Sequence, residues 1–184
     1  MSKLFGPVIQ QGYVVPDVND AIAHWLARGV GPFFVEHLVN FDGLVGDRLV
    51  KLELVAAFAY SGDQQIEVIE PRDSGSNIYS DFLARNPLGG LQHLAVWVDD
   101  IDAKLLEIDA AGFEVKQRYG NGHAYIDSID KPGVMIQLMA HNPAIDELFS
   151  IISQASTDWD GSTDPIRKIN WTTGRPVVEA YHTG

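Results

Sequence analysis

The chain has 184 residues, of which 46% are hydrophobic and 21% are charged, a balance typical of a globular protein with a buried core. Its formal net charge of −12 argues against a nucleic-acid partner, because recognition of a phosphate backbone requires a basic surface. The absence of cysteine excludes disulfides and thiol nucleophiles, and the lack of a signal peptide or a long apolar run predicts a cytoplasmic protein without a membrane partner.

The first 71 residues predict one helix and four strands. Asp17 is a suitable N-cap, and apolar side chains follow it at helical spacing until Gly29 ends the segment. Alternating apolar residues between turn signals predict the strands. The elements in order are a strand at 7–15, a helix at 17–29, and strands at 31–37, 49–60 and 64–71. We interpret NFDGLVGDR, between the second and third strands, as a turn.

A second group of elements follows a linker at 72–90, in which IYSDFLARN predicts about two helical turns. The order of the first group then recurs. We expect strands at 91–98, 113–119, 122–129 and 133–140, with a helix at 100–111 after the first of them.

The two groups of elements are copies of one unit. Residues 92–113 align with residues 9–30 at a constant offset of 83, which matches His93 with Gln10. The apolar spacing, the acidic helix start and the final glycine all agree. We therefore predict an α+β protein with two tandem βαβββ modules, whose curved mixed sheets enclose a cleft. The modules are expected at 1–71 and 91–140.

The remaining residues, 141–184, form an extension outside the duplication. AIDELFSIISQA predicts an amphipathic helix, and the rest is turn-rich with Trp159 and Trp171. We expect this extension to strap across its own sheet or a dimer mate. A lid over the cleft is the alternative.

Strand alternation predicts which polar residues face away from the helices. They are Gln10 and Glu67 in the first module, and His93 and Gln137 in the second. Two curved sheets placed side by side converge these groups on the floor of a shared cleft. In that partly apolar setting Glu67 is suited to act as a general base. The alternative is that the four groups only hydrogen-bond one another, as buried polar groups must.

Three motifs carry a resemblance to a known family, namely the strand-to-helix connections VVPDV and VWVDDI and the end of the fourth strand, IEVIEP. With these motifs, the duplication resembles the vicinal oxygen chelate superfamily. That superfamily includes glyoxalases, bleomycin-resistance proteins, extradiol dioxygenases and methylmalonyl-CoA epimerases. The resemblance covers about residues 7–140, and SGSNIYSDFLARNPLGGLQHLAVWVDD looks most like the epimerase branch. It implies a glyoxalase-like fold, a homodimer and a small-molecule or acyl substrate.

The resemblance also implies a divalent metal, with Mn, Co, Ni, Zn and Mg as candidates. Its ligand positions fall on Gln10, Glu67, His93 and Gln137. The family's usual first-strand histidine is Gln10 in this chain, and its usual last-strand glutamate is Gln137. Neutral amides at two positions should weaken the affinity for zinc, although an amide oxygen still suits a hard cation.

The function implied is abstraction of a proton next to a carbonyl, as in an isomerase, an epimerase or a lyase. Glu67 and His93 are the expected catalytic residues. The alternatives are a non-catalytic protein that binds a small molecule, as the resistance proteins do, and a dioxygenase. A dioxygenase is disfavoured because Gln10 removes a histidine that its iron requires. We expect the substrate pocket to include Trp97, Phe34, Met135 and His37. His37 and His123 are weaker candidates for acid–base chemistry at the mouth of the cleft.

Overall fold

A computed structural model describes residues 3–128 and 133–181 of the protein. In this part of the chain, ten strands form one mixed sheet and four helices pack on it, which confirms the predicted α+β class. The first unit comprises β1 (Gln10–Val14), α1 (Val18–Leu26), β2 (Phe33–Val45), β3 (Arg48–Ser61) and β4 (Gln64–Pro71). The linker contains α2 (Ile78–Arg85). The second unit comprises β5 (Gly90–Val98), α3 (Ile101–Asp109), β6 (Phe113–Tyr119), β7 (His123–Ser128) and β8 (Met135–Ala140).

The two units share one continuous sheet, and β1 and β5 form the junction between them. These strands pair antiparallel, and each pairs parallel with the last strand of its own unit, β4 or β8. The sheet order across both units is β2-β3-β4-β1-β5-β8-β7-β6. The far end of β2 also pairs with β6, at Leu44 with Arg118 and at Val45 with Gln117. The eight strands therefore close into a ring with an interior face.

The segment NFDGLVGDR is mostly strand rather than the turn that the sequence predicts. β2 continues to Val45, and only Gly46 and Asp47 form the turn into β3. Gly43 shows why: an added Cβ would lie 2.4 Å from Leu52 Cδ1 and 3.3 Å from Tyr119 Cε1. This glycine lets side chains of β3 and β6 approach the backbone closely, a role that local sequence cannot distinguish from a turn.

Helices α1 and α3 cover the outer face of the ring. Val18 and Ile22 of α1 pack into a cluster with the first unit, and Ile101 and Ile108 of α3 into a cluster with the second. None of the helices in the described ranges combines the length and apolar character that crossing a bilayer requires. Residue 129, at the end of a predicted strand, and most of the turn after it lie outside the described residues.

The extension contains α4 (Pro143–Asp158), β9 (Ile166–Thr172) and β10 (Arg175–Ala180). Leu148 and Ile152 of α4 pack on the inner face of β3, while β9 runs parallel to β2 and widens the sheet. The sequence did not predict the β9–β10 hairpin. Its turn residues are Thr173 and Gly174, with φ of 52° and 77°, and Thr-Gly is a weak signal for such a turn. Pro176 is tolerated because β10 is the edge strand.

Gly89 provides a test of the junction between the two units. Its φ is +76°, and an added Cβ would lie 2.5 Å from the carbonyl oxygen of Val14 on β1. Gly112 has a similar φ of +83°, but among the described residues no atom lies within 4 Å of such a Cβ. We expect Gly112→Ala to lower the free energy of unfolding by about 1–2 kcal/mol through backbone strain alone. Gly89→Ala should lose at least about 2 kcal/mol more, because a backbone atom must move.

Urea unfolding of both variants, followed by circular dichroism, measures this difference. Equal losses would contradict the close approach of the end of the linker to β1 at Gly89.

Candidate active site

Glu67 and His93 meet on the inner face of the junction, across Gly12. Gly12 pairs with Glu67 on one side and with His93 on the other. The Nε2 atom of His93 lies 3.1 Å from Oε2 of Glu67, and the imidazole is fully buried. An added Cβ on Gly12 would lie 1.9 Å from Cε1 of His93. The imidazole therefore crosses directly over the backbone of β1 to reach the carboxylate, and only glycine leaves room for it.

The neighbouring row of side chains across the sheet repeats this arrangement, but here the small residue belongs to β5 of the second unit instead of β1 of the first. Ala95 of β5 lies between Gln10 on β1 and Gln137 on β8. The duplication that matches Gln10 with His93 also matches Gly12 with Ala95, so each unit contributes one polar and one small residue. The side-chain carbonyl oxygens of Gln10 and Gln137 are buried and have no hydrogen-bond partner among the described residues.

The hydrogen-bond partners of His93 determine its tautomer. Gln92 donates its Nε2–H to the carbonyl of Ile78 at 3.3 Å, which leaves its Oε1 facing Nδ1 of His93 at 2.7 Å. An amide oxygen only accepts, so Nδ1 carries the hydrogen and the lone pair is on Nε2. That lone pair faces the Glu67 carboxylate. Since two lone pairs at this distance repel, a proton or a metal ion must lie between them.

The donor atoms at the four predicted ligand positions suit a hard divalent cation in their chemistry. Nε2 of His93 and Oε2 of Glu67 face one another, and Gln10 and Gln137 offer unpartnered carbonyl oxygens. The hydrogen bond from Nδ1 to Gln92 is the support that a metal-binding imidazole requires. Two of these donors are amides, and residues 3–128 and 133–181 contain no group of three or more His, Cys, Asp or Glu that fits a metal. The set favours oxygen-preferring ions.

A cavity of about 230 Å³ opens on the inner face beside this pair. Side chains of α4, including Leu148 and Phe149, form part of its wall. His93 lies behind Glu67 and does not line it. The polar side chains that do line it include Gln10, Glu36, Glu67, His123 and Gln137. Burial lowers the pKa of His123 below its usual value, so its imidazole is neutral at neutral pH.

Three tyrosines form a chain of hydrogen bonds along another wall of the cavity. The hydroxyl of Tyr119 lies 2.6 Å from that of Tyr79, which lies 2.9 Å from that of Tyr125. Burial raises the pKa of all three phenols well above the usual value, so they remain neutral donors. These three residues were not predicted from the sequence. Alternation places Tyr119 and Tyr125 on the inner face of their strands, but only the closed ring brings Tyr79 of α2 to them.

Glu36 of β2 is a second carboxyl group in the cavity, and it was not predicted from the sequence. The indole N–H of Trp171 on β9 donates a hydrogen bond to it. Burial raises the pKa of Glu36, and the hydrogen bond from Trp171 partly opposes this effect. The extension thus contributes a wall of the cavity and orients one of its acids. Glu36 lies two residues after Phe34 in FFVEH, and this alternation is the one signal in the sequence.

The four residues that were predicted from the sequence to bind the substrate do not line the cavity. Phe34 is completely buried between β3 and α4. Trp97 stacks on His141 with ring centroids 4.4 Å apart, at the rim of the inner face. Met135 packs into the cluster around α2. His37 is exposed, because it follows an inward-facing residue on β2.

Comparison with known proteins identifies the class. Residues 9–127 match the profile of the Glyoxalase/Bleomycin resistance protein/Dioxygenase superfamily. The chain belongs to this superfamily, whose members commonly bind divalent metals and small molecules. The resemblance inferred from the duplicated motifs is therefore confirmed. No curated protein matches the sequence.

Several solved structures share the fold. A hypothetical protein from Bacillus halodurans C-125 has a TM-score of 0.55 at 16% identity, over 74% of this chain and 94% of its own. Methylmalonyl-CoA epimerase from Mycobacterium tuberculosis has a TM-score of 0.52 at 20% identity, over 79% and 95%. An epimerase variant from Streptomyces coelicolor, in complex with 2-nitronate-propionyl-CoA, has a TM-score of 0.50 at 19% identity, over 76% and 96%. At these identities the similarity shows the fold alone.

Gly12→Ala tests the packing of the Glu67–His93 pair. The new methyl group must displace the imidazole, so we expect the free energy of unfolding to fall by about 2–4 kcal/mol. In a His93→Ala background the same substitution should have little effect, since the clash is gone. Gly122→Ala is the control, because no atom of the described residues lies within 4 Å of its added Cβ. Urea unfolding of the double-mutant cycle measures the coupling, and additive losses would contradict this geometry.

Proposed function

We propose that the protein moves a proton at a carbon next to a carbonyl group, as an isomerase, an epimerase or a lyase for a small or acyl substrate. The supporting observation is the Glu67 carboxylate at the edge of an apolar and aromatic cavity. Its Oε2 is held by His93, and its Oε1 makes no hydrogen bond within the described residues. That second oxygen is available to accept a proton from a bound substrate.

His93 orients this base. The hydrogen bonds at both ring nitrogens fix the imidazole, which in turn holds the carboxylate of Glu67 in one orientation. A base held in this way loses little freedom when the substrate binds, and this lowers the barrier to proton transfer.

The similar structures support proton transfer as the type of reaction. Two of them are methylmalonyl-CoA epimerases, and this is an argument from fold only. The net charge of −12 disfavours a substrate with many phosphates. Small neutral carbonyl compounds and short acyl thioesters are therefore the first compounds to screen.

We extend the proposal to a hard divalent cation, Mg²⁺ or Mn²⁺, at the predicted ligand positions. His93, Glu67, Gln10 and Gln137 would hold it, through one imidazole nitrogen and three side-chain oxygens. A cation there would withdraw electron density from a bound carbonyl oxygen and so acidify the neighbouring C–H bond.

A second candidate is a binding protein without catalytic activity. The apolar walls formed by Phe41, Phe58 and Phe149 favour it, because they suit a flat hydrophobic ligand. A dioxygenase fits less well, since His93 is the one imidazole at the four ligand positions and the iron of such enzymes is bound by two.

Glu67→Gln tests the catalytic proposal. The substitution keeps the shape of the side chain but removes the base, so exchange of substrate α-hydrogen with D₂O should fall by about 10²–10⁴-fold. Proton NMR of a panel of carbonyl compounds and acyl thioesters measures the exchange. Glu53→Gln, on the exposed part of β3, is the control and should retain it.

Two results would contradict this assignment. Exchange that persists in Glu67→Gln and disappears in Glu36→Gln would transfer the role of base to Glu36. Tight binding of panel compounds by the wild-type protein without any exchange would favour the binding protein.

The cation is tested by dialysis against Mg²⁺, Mn²⁺, Co²⁺, Ni²⁺ or Zn²⁺, followed by elemental analysis. We expect about one ion per chain with Mn²⁺ or Mg²⁺, and its loss in His93→Ala. The double variant Gln10→Leu and Gln137→Leu should also lose the ion, because it removes both amide oxygens. Failure to bind any of the five ions would mean that a proton lies between His93 and Glu67.

A further inference from the structure

The tyrosine chain has a direction that is set from outside it. The backbone N–H of Ile78, in the first turn of α2, donates to Oε1 of Gln117 at 3.2 Å. This bond fixes the orientation of the amide, so that Nε2 of Gln117 faces the hydroxyl of Tyr119 and donates to it. An amide nitrogen cannot accept, and Tyr119 must therefore use its oxygen as the acceptor at this contact.

The number of hydrogens available determines the direction of the other hydrogen bonds in the tyrosine chain. Each phenol has one hydrogen to donate. Tyr119, having accepted from Gln117, donates to Tyr79, and Tyr79 donates to Tyr125. The hydrogen of Tyr125 is left over, since it makes no hydrogen bond to any of the described residues. In such a series each bond polarises the next, which makes the terminal O–H the strongest donor.

The reverse direction is less favourable. If Tyr125 donated to Tyr79 and Tyr79 to Tyr119, the oxygen of Tyr119 would accept two hydrogen bonds while its own hydrogen found no partner. The cooperativity of the series would also be lost, because two donors would converge on one oxygen.

The unused hydrogen lies beside the base. Tyr125 lines the cavity, as does Glu67. The ring of Tyr125 stands edge-on to the imidazole of His93, with centroids 5.1 Å apart and planes at 85°. On the next strand, Tyr125 pairs directly with Gln137, in the same row as Ala95. A substrate bound in this cavity therefore lies against a wall that contains both Glu67 and Tyr125.

We propose that Tyr125 donates a hydrogen bond to the substrate oxygen on which negative charge develops. This role for Tyr125 rests on the proposed proton transfer. Abstraction of the α-hydrogen by Glu67 breaks the C–H bond, and its electron pair becomes the C=C bond of an enolate. The carbonyl π electrons move onto oxygen, which Tyr125 then stabilises by a hydrogen bond that strengthens as the charge grows. The proton stays on Glu67 until it returns to carbon.

The matching ligand class is a planar compound with an oxyanion. 4-Nitrophenol is a suitable probe, since its anion absorbs visible light and carries its charge on an oxygen conjugated with a ring, as an enolate does. We expect chelator-treated wild-type protein to bind the anion in preference to the neutral phenol. Tyr125→Phe should weaken binding of the anion about tenfold or more, the usual effect of losing a hydrogen bond to a charged group.

Matched variants separate this donor from other effects. Tyr119→Phe should weaken binding of the anion about two- to threefold, because it removes polarisation but not the donor. Tyr13→Phe should leave it unchanged, since Tyr13 packs on the outer face against Trp25. Nitrobenzene lacks the oxyanion, and its binding should not distinguish wild type from Tyr125→Phe. Unfolding in urea shows that each variant is folded before binding is compared.

Two outcomes overturn the assignment. One is equal binding of the anion by wild type and Tyr125→Phe, and the other is failure of the wild type to bind the anion at all. A large loss in Tyr119→Phe alone would mean that the unused hydrogen is at the opposite end of the chain. The probe has no α-hydrogen, so its binding does not depend on Glu67 as a base. Binding that requires Tyr125, together with an absence of α-hydrogen exchange, would refute the proposed function while the donor assignment stands.

Discussion

The peptide groups at Ile78 orient both hydrogen-bond networks of the site. Its carbonyl holds Gln92, which places the hydrogen of His93 on Nδ1 and turns Nε2 toward Glu67. Its N–H holds Gln117, which sets the direction of the tyrosine chain. A backbone carbonyl only accepts and a backbone N–H only donates, so neither network can invert without breaking a buried bond. The first turn of the linker helix thus determines where lone pairs and hydrogens face the cavity.

Duplication explains why the polar groups can meet at all. At an antiparallel junction between two copies of one unit, each strand places its polar residue opposite the small residue of the other. Gly12 makes room for His93, and Ala95 separates Gln10 from Gln137. A larger side chain at either small position would force the facing groups apart. The copies have diverged chemically, because one row pairs an imidazole with a carboxylate and the other contains two amides.

The limits of prediction follow from the range of each interaction. Alternation along a strand is local, and it identified Glu67, Gln10 and Gln137, which line the cavity, and His93, which lies behind it. Trp97 and Phe34 were also predicted to line the pocket. Local sequence could not show that His141 and α4 cover them. Tyr79 and Glu36 carried weak signals, since their partners Tyr125 and Trp171 are 46 and 135 residues away in the chain.

The sequence alone determined the duplicated unit, its family and the polar residues of the junction, because periodicity and turn chemistry act over a few residues. Tertiary structure decided which of these residues face a ligand. Three features depend on contacts between segments that are distant in the chain. They are the pairing of β2 with β6, the packing of α4 across the inner face and the hairpin that brings Trp171 to Glu36. Tertiary structure also decided the direction of the hydrogen bonds in the two networks of the site. That direction depends on backbone groups of α2, a helix that lies outside both copies of the unit.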